Sequence, residues 1–236
     1  MPVLQALRDP GVRVDKVIVA HNAEGGSLDA ILEAAAAAGV RVHHASPQRI
    51  KMLAGNGRQD QGVVADIAAP RMLPLEEFLA SPPPPPAHLL ALDGVHTPGN
   101  VGMIVRTVAA AGLEGLILPR QGAPEVDPLV IKASAGTVFR APLLRCRTPQ
   151  EALERSRTAG FEVVGLDAGA EGSLYAAEMA ERAVFVLGNE TAGVSPDCRP
   201  LVDRWVSIPL SAEVDSLNVA CAAAVLAFEL VRRRQP

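Results

Sequence analysis

Three polar clusters in this chain follow apolar, strand-like runs, and their residue types suit ligand binding better than packing. Thr97-Pro-Gly-Asn-Val-Gly-Met-Ile-Val-Arg106 follows Leu89 to Leu92, and Gly188-Asn-Glu-Thr-Ala-Gly193 follows Ala183 to Leu187. The third, Ser211-Ala-Glu-Val-Asp-Ser-Leu-Asn218, follows Ser207-Ile-Pro-Leu210 and opens onto a helix of small residues. Open α/β sheets bind ligands outside the carboxyl ends of their strands, so polar loops at three strand ends signal a binding site. Arg106 emerges from an otherwise apolar helix, where a guanidinium needs a carboxylate or phosphate partner. Its residue type leaves two readings open, an ion pair with Glu190 or another acid, and a contact to a bound phosphate. Gly188 either lets the backbone approach a bound group or simply ends a strand. Ser216 alone reads as a helix N-cap.

Several chemistries are excluded. No G-x-G-x-x-G follows a strand, and the chain has neither a G-K-[ST] phosphate loop nor a G-x-S-x-G elbow. His21, His43, His44, His88 and His96 are scattered, with only His96 beside a polar cluster. Cys146, Cys198 and Cys221 lie far apart without C-x-x-C, so neither a zinc site nor a disulfide framework is indicated and no metal is expected.

The elements that must position these clusters follow from pattern. Five consecutive prolines, Pro82 to Pro86, cannot continue a helix or a central strand. They predict a linker over 81–87 between domains at 1–80 and 88–236. In the first domain, strand-like Val14 to Ala20, a helix from Ser27 to Ala38 ending at Gly39, strand-like Val40 to His43, a short helix near Pro47 to Ala54 and a last strand over Gln61 to Ala68 predict a small α/β fold. Ser27 is the expected cap of its helix, and His44, Asn56, Arg58 and Gln61 are expected in or beside loops. Beyond the prolines, unbroken apolar runs at Leu89–Leu92, Leu116–Leu118, Val163–Leu166, Val184–Leu187 and Trp205–Ile208 predict strands covered on both faces, as in a parallel sheet. Helical patterns intervene at Val101–Ala111, Pro128–Ala135, Pro149–Ala159 and Leu217–Arg234, the first three closing at Gly112, Gly136 and Gly160.

The net charge of −4 argues against bulk coating of nucleic acid. Any RNA contact is then local, with Arg41 to Arg58, Arg140 to Arg147 and Arg232 to Arg234 as basic spots. Each also reads as a solvated face, and the last as cations at a helix C-terminus. No apolar run approaches the roughly 18 residues a membrane span needs, and the start is unlike a signal peptide, so a cytoplasmic protein is expected.

Taken together, N-x-G-x-x-x-R over Asn100–Arg106, L-G-x-E-x-x-G over Leu187–Gly193 and I-P followed by S-L-N-V over Ile208–Val219 resemble, in order, the signature motifs of the SpoU (TrmH-type) RNA ribose 2′-O-methyltransferases of the SPOUT superfamily. The resemblance implies S-adenosyl-L-methionine as methyl donor and co-substrate, a parallel-sheet C-terminal domain tied in a trefoil knot, and a homodimer. It also implies an L30e-like RNA-binding domain at the N-terminus, where Gln61-Gly62 stands for the family's usual H-Q-G or N-Q-G. By the same resemblance Asn100, Arg106, Glu190, Ser216 and Asn218 are the catalytic set, and Leu187, Gly188, Ile208, Leu210, Leu217 and Asn218 hold the donor. Thr191 and Ala220 replace the family's commoner glycine and serine. The implied substrate is RNA, most like that of the 23S rRNA guanosine enzymes. The competing readings are a tRNA 2′-O-methyltransferase of the same family and an RNA- or ribosome-binding module without turnover.

Overall fold

The computed structural model describes residues 2–54, 62–69, 71–211 and 214–235. Asn56, Arg58 and Gln61 lie outside the described residues. The chain forms two compact units, Met1–Pro70 and Arg71–Pro236. Among the described residues no helix is long and apolar enough to cross a membrane.

The first unit runs α1 (Pro2–Arg8), β1 (Arg13–Ala20), α2 (Gly26–Ala37), β2 (Arg41–Ala45), α3 (Pro47–Ala54) and β3 (Val63–Ala68). Its sheet has the order β2-β1-β3, with β1 parallel to β2 and antiparallel to β3. Leu4 and Leu7 of α1 pack with Val17 and Val19 of β1 and with Ile31 and Ala35 of α2. Burial of each such Val, Leu or Ile contributes roughly 1.5–3 kcal/mol, which explains why the short α1, unmarked by any sequence signal, is ordered. Two expectations are corrected. The N-cap of α2 is Gly25, and no side chain caps it, so Ser27 lies inside the first turn. His44 lies within β2, with its ring stacked on that of His21 at 6.0 Å between centroids.

The second unit contains β4 (Met72–Pro74), α4 (Leu75–Ala80), β5 (Ala87–Leu92), α5 (Pro98–Ala111), β6 (Gly115–Pro119), α6 (Pro128–Ala133), β7 (Leu143–Cys146), α7 (Pro149–Thr158), β8 (Glu162–Leu166), β9 (Arg182–Leu187), β10 (Arg204–Val206) and α8 (Val219–Arg234). Its sheet has the order β10-β8-β9-β5-β6-β7-β4, and every pairing is parallel. Every residue of β5 is buried, as the unbroken apolar runs require of strands covered on both faces. Gly112 closes α5 in the left-handed region at φ 65°, where its N–H reaches the carbonyls of the last turn.

The unit boundary falls before the prolines, because Met72–Pro74 pairs with Leu143–Arg145 and so joins the large sheet. A three-residue edge strand carries no readable periodicity, and β7 offers only Leu143-Leu144 before Arg145. The prolines instead carry the chain from α4 into β5 inside the second unit, where Arg182 donates to the Pro83 carbonyl.

The C-terminal arginines are structural. Arg233 donates to the carbonyls of Leu174, Tyr175 and Ala177 and to Glu229, and Arg232 also pairs with Glu229. Those bonds, led by the one from Arg232, pull the Glu229 carboxyl down to about 2. Its contribution to stability is therefore complete above the ordinary carboxylate range and is lost only as pH falls toward 2. Arg234 pairs with Glu114 at 2.8 Å and donates to Nδ1 of the buried His88 at 3.1 Å, which leaves His88 Nε2–H to donate to the Ala180 carbonyl at 3.0 Å.

Burial, with the Arg234 charge adding to it, lowers the His88 pKa below 6.5. The unfolded chain thus binds this proton at higher pH than the folded chain does, and stability falls as pH drops below about 6.5. The midpoint of urea unfolding should be lower at pH 5.5 than at pH 7.5 for the wild type, and His88→Gln should flatten that difference. An unchanged difference would show that His88 is not its source.

Candidate active site

The carboxyl ends of β8 and β9 face a cavity of about 330 Å³. Its walls are Leu166, Asp167 and Ala168 after β8, Leu187 to Gly193 after β9, Arg199, and Ile208, Leu210, Ser216 and Leu217 on the approach to α8, with Val219 and Ala222 from α8 itself.

Gly188 shows why this wall has its sequence. A Cβ there would lie 2.2 Å from the Gly193 carbonyl carbon and 2.3 Å from Val194 N, so only glycine fits. The loop it abuts is closed on itself, Asn189 and Gly193 each donating N–H to the other's carbonyl at 2.9 Å. Asn189 adds a side-chain bond to the Gly94 carbonyl at 2.9 Å and accepts from the N–H groups of Thr191 and Ala192. Nearby, the buried Asp93 accepts from Ser195 N at 2.6 Å. Satisfied loops of this kind hold their shape without a ligand, because few of their polar groups are left to find new partners.

A polar chain runs beside the cavity. Asn218 is the N-cap of α8, its Oδ1 accepting from Ala220 N at 2.9 Å and Cys221 N at 3.4 Å. That cap turns its Nδ2 toward Asn100 Oδ1, 3.2 Å away, and so turns Asn100 Nδ2 toward the Glu190 carboxylate, to which it donates. The helix end thereby sets the direction of both amides and leaves Glu190 as the acceptor at the chain's end. Asn100 is buried on α5. The helix start differs from the sequence expectation, since Asn218 rather than Ser216 is the cap and α8 begins at Val219 rather than Leu217.

Of the residues singled out in the sequence, Leu187, Gly188, Glu190, Ile208, Leu210, Ser216 and Leu217 line the cavity, and Asn100 and Asn218 form the polar chain. Arg106 stands apart. It is exposed on α5, does not line the cavity, and among the described residues makes no ion pair with Glu190 or any other acid. His96 is likewise exposed and off the cavity.

Sequence reasoning missed Asp167 and Arg199. The signal for Asp167 was present, because Val163–Leu166 read as a buried strand and its carboxyl end is a fourth position of the kind that marked the other clusters. Arg199 had none, being brought in by a short 3-10 turn, Arg199–Leu201, and held 4.7 Å above the Trp205 ring. Burial raises the Cys146 thiol to about 12 and the Cys198 thiol to about 11, which keeps both protonated near neutrality. Among the described residues no group of His, Cys, Asp or Glu is arranged to hold a metal ion.

A cavity lined by aliphatic side chains with a few fixed polar groups, at the carboxyl ends of parallel strands, defines a site for a small, partly apolar ligand. The SpoU rRNA Methylase family matches residues 87–228, and the family described as RNA 2′-O ribose methyltransferase substrate binding matches residues 1–73. The chain belongs to the SpoU family and is an RNA 2′-O-methyltransferase of that family, with the SPOUT fold and an N-terminal substrate-binding unit. It is 34% identical over 233 residues to the 23S rRNA (guanosine-2′-O-)-methyltransferase RlmB of Ralstonia nicotianae, covering 98% of this chain and 93% of the relative. RlmB of Xylella fastidiosa is 32% identical, with 98% and 94% covered. The crystal structure of the SpoU methyltransferase AviRb from Streptomyces viridochromogenes in complex with AdoMet superposes with a TM-score of 0.70 at 27% identity, covering 99% of this chain and 87% of that one.

Proposed function

We propose that this chain transfers the methyl group of S-adenosyl-L-methionine to the ribose 2′-hydroxyl of a guanosine in 23S rRNA, and that it does so as a homodimer. The observation that carries this reading is the cavity at the ends of β8 and β9 with the Asn218–Asn100–Glu190 chain beside it. The RlmB relatives from Ralstonia and Xylella support the choice of RNA.

The cavity fits the donor by its chemistry. Leu187, Ile208, Leu210 and Leu217 offer aliphatic faces to an adenine, and Gly188 brings bare backbone against it. The donor supplies an electrophilic methyl group and leaves as neutral S-adenosylhomocysteine, while the 2′-hydroxyl proton passes to solvent, so the protein's part is alignment and charge stabilisation. Glu190, held by Asn100, organises the polar side of the pocket. Ser216 and Asn218, at the turn into α8, face the target ribose. Arg106 holds the ribose and its adjacent phosphate and stabilises charge; a guanidinium is too weak a base to take the proton itself.

Arg106 supports the homodimer, because it does not line its own chain's cavity. Met103 on α5 and Phe228 on α8 leave about half their surfaces exposed, 45% and 51%. Packing a second copy on those helices covers them and carries Arg106 of one protomer toward its partner's cavity. Single-turnover transfer of labelled methyl to 23S rRNA fragments, followed by mapping of ribose methylation, is expected to locate one guanosine, and light scattering at micromolar concentration is expected to give twice the chain mass. Transfer to tRNA alone would move the substrate elsewhere in the family. A fully active monomer would overturn the dimer.

A further inference from the structure

We propose that Asp167 recognises the methyl donor by accepting hydrogen bonds from its ribose hydroxyls, with Arg199 as the residue that positions it. The inference rests on the cavity being the S-adenosylmethionine site.

Asp167 follows β8 directly and lines the cavity. Its backbone is tied to the sheet, Asp167 N donating to the Val206 carbonyl at 3.1 Å. Its carboxylate is held at both oxygens without being consumed. Oδ1 accepts from Gly169 N at 2.9 Å. Oδ2 meets Arg199 Nη2 at 3.4 Å, longer than the roughly 2.7–2.9 Å of a close charge-assisted bond. Since a carboxylate offers about four lone-pair positions, both oxygens keep room for further donors. Arg199 is itself fixed against the Trp205 ring, so the guanidinium defines where Oδ2 sits. Glu190, the other carboxylate on the described cavity wall, is already engaged by Asn100.

A fixed carboxylate at the end of a parallel strand is how other α/β proteins hold a ribose diol. The diol presents two neutral donors side by side, matching two oxygens of one carboxylate. The donor's own α-carboxylate would be repelled there. Its ammonium is the remaining candidate, and the choice of ligands separates the two.

Calorimetry on the full chain uses S-adenosylhomocysteine, 5′-methylthioadenosine, which has the diol but no amino-acid tail, and the 2′-deoxy and 3′-deoxy forms of that nucleoside. Wild type should bind both deoxy nucleosides more weakly than 5′-methylthioadenosine. Asp167→Ala should weaken S-adenosylhomocysteine and 5′-methylthioadenosine alike, by about tenfold to a hundredfold, as loss of hydrogen bonds to a charged group predicts. For each deoxy ligand, which keeps one hydroxyl, it should add a smaller loss than for the parent nucleoside. Arg199→Ala should cost less on the same ligands and add nothing to Asp167→Ala. The wild-type series needs no variant to fold. Equal wild-type binding of the parent and both deoxy nucleosides would overturn the role of Asp167 while leaving the donor site standing. A loss confined to S-adenosylhomocysteine in Asp167→Ala would assign the carboxylate to the ammonium and overturn it too. Failure of wild type to bind S-adenosylhomocysteine at all would remove both this inference and the reading on which it rests.

Discussion

Arg106→Ala should reduce single-turnover methyl transfer by about two orders of magnitude or more, a loss of roughly 3 kcal/mol in transition-state stabilisation, while donor affinity stays nearly unchanged. The side chain is exposed on α5 and makes no ion pair among the described residues, so its removal breaks no contact that holds the fold. It also does not line the donor cavity. With its fork on the ribose and phosphate of the RNA, Arg106 acts on transfer rather than on donor binding. Lysine should not restore the rate, because a planar fork can hold a phosphate and a ribose together where a point charge cannot. Donor affinity by calorimetry and transfer to rRNA fragments, measured on wild type and both variants, separate the outcomes. Equal rates would mean that Arg106 plays no part in turnover.

Gly188→Ala acts at the opposite end of the site. The added methyl would lie 2.2–2.4 Å from backbone atoms of Gly193 and Val194, which cannot rotate aside as a side-chain tip could. The loop must move outward, and its mutual Asn189–Gly193 bonds, together with the Asn189 bond to Gly94, resist that. Overpacking of this kind costs about 1–3 kcal/mol, or several degrees of melting temperature in a chain of this size, at about 2–4 °C per kcal/mol. Because Asn189 to Gly193 are themselves cavity wall, donor affinity should fall more than tenfold, the scale set by about 1.4 kcal/mol. Gly99→Ala is the matched control, since a Cβ there meets nothing within 4 Å and the backbone is helical. Unchanged melting and donor affinity in Gly188→Ala would show that the loop is pliable and that the cavity does not depend on its closeness.

Much of this molecule is legible in its sequence. Apolar runs are a local property, so the buried strands at Leu89–Leu92, Leu116–Leu118, Val163–Leu166 and Val184–Leu187 announced themselves, and Gly112 marked the end of α5 because only a left-handed residue closes a helix that way. The polar clusters after those strands named most of the cavity wall, since a loop at the end of a buried strand has no packing reason to carry Asn, Glu and Ser. What the sequence could not decide were the contacts between segments far apart in the chain. The edge strand Met72–Pro74 has too few residues for a periodic pattern and is ordered only because β7 offers it a partner. Asn218 and Ser216 are equally good caps by residue type, and the choice falls to Asn218 because its amide also reaches Asn100, 118 positions away in the chain. Arg199 becomes part of the cavity only through Trp205 and Asp167. Arg106, whose residue type left an acid and a bound phosphate both open as partners, lies on the exposed face of α5 and makes no ion pair among the described residues. Local pattern determined the strands and the loops that hold chemistry; packing across the sheet decided which of their side chains meet, because hydrogen-bond geometry depends on distances that no spacing along the chain encodes.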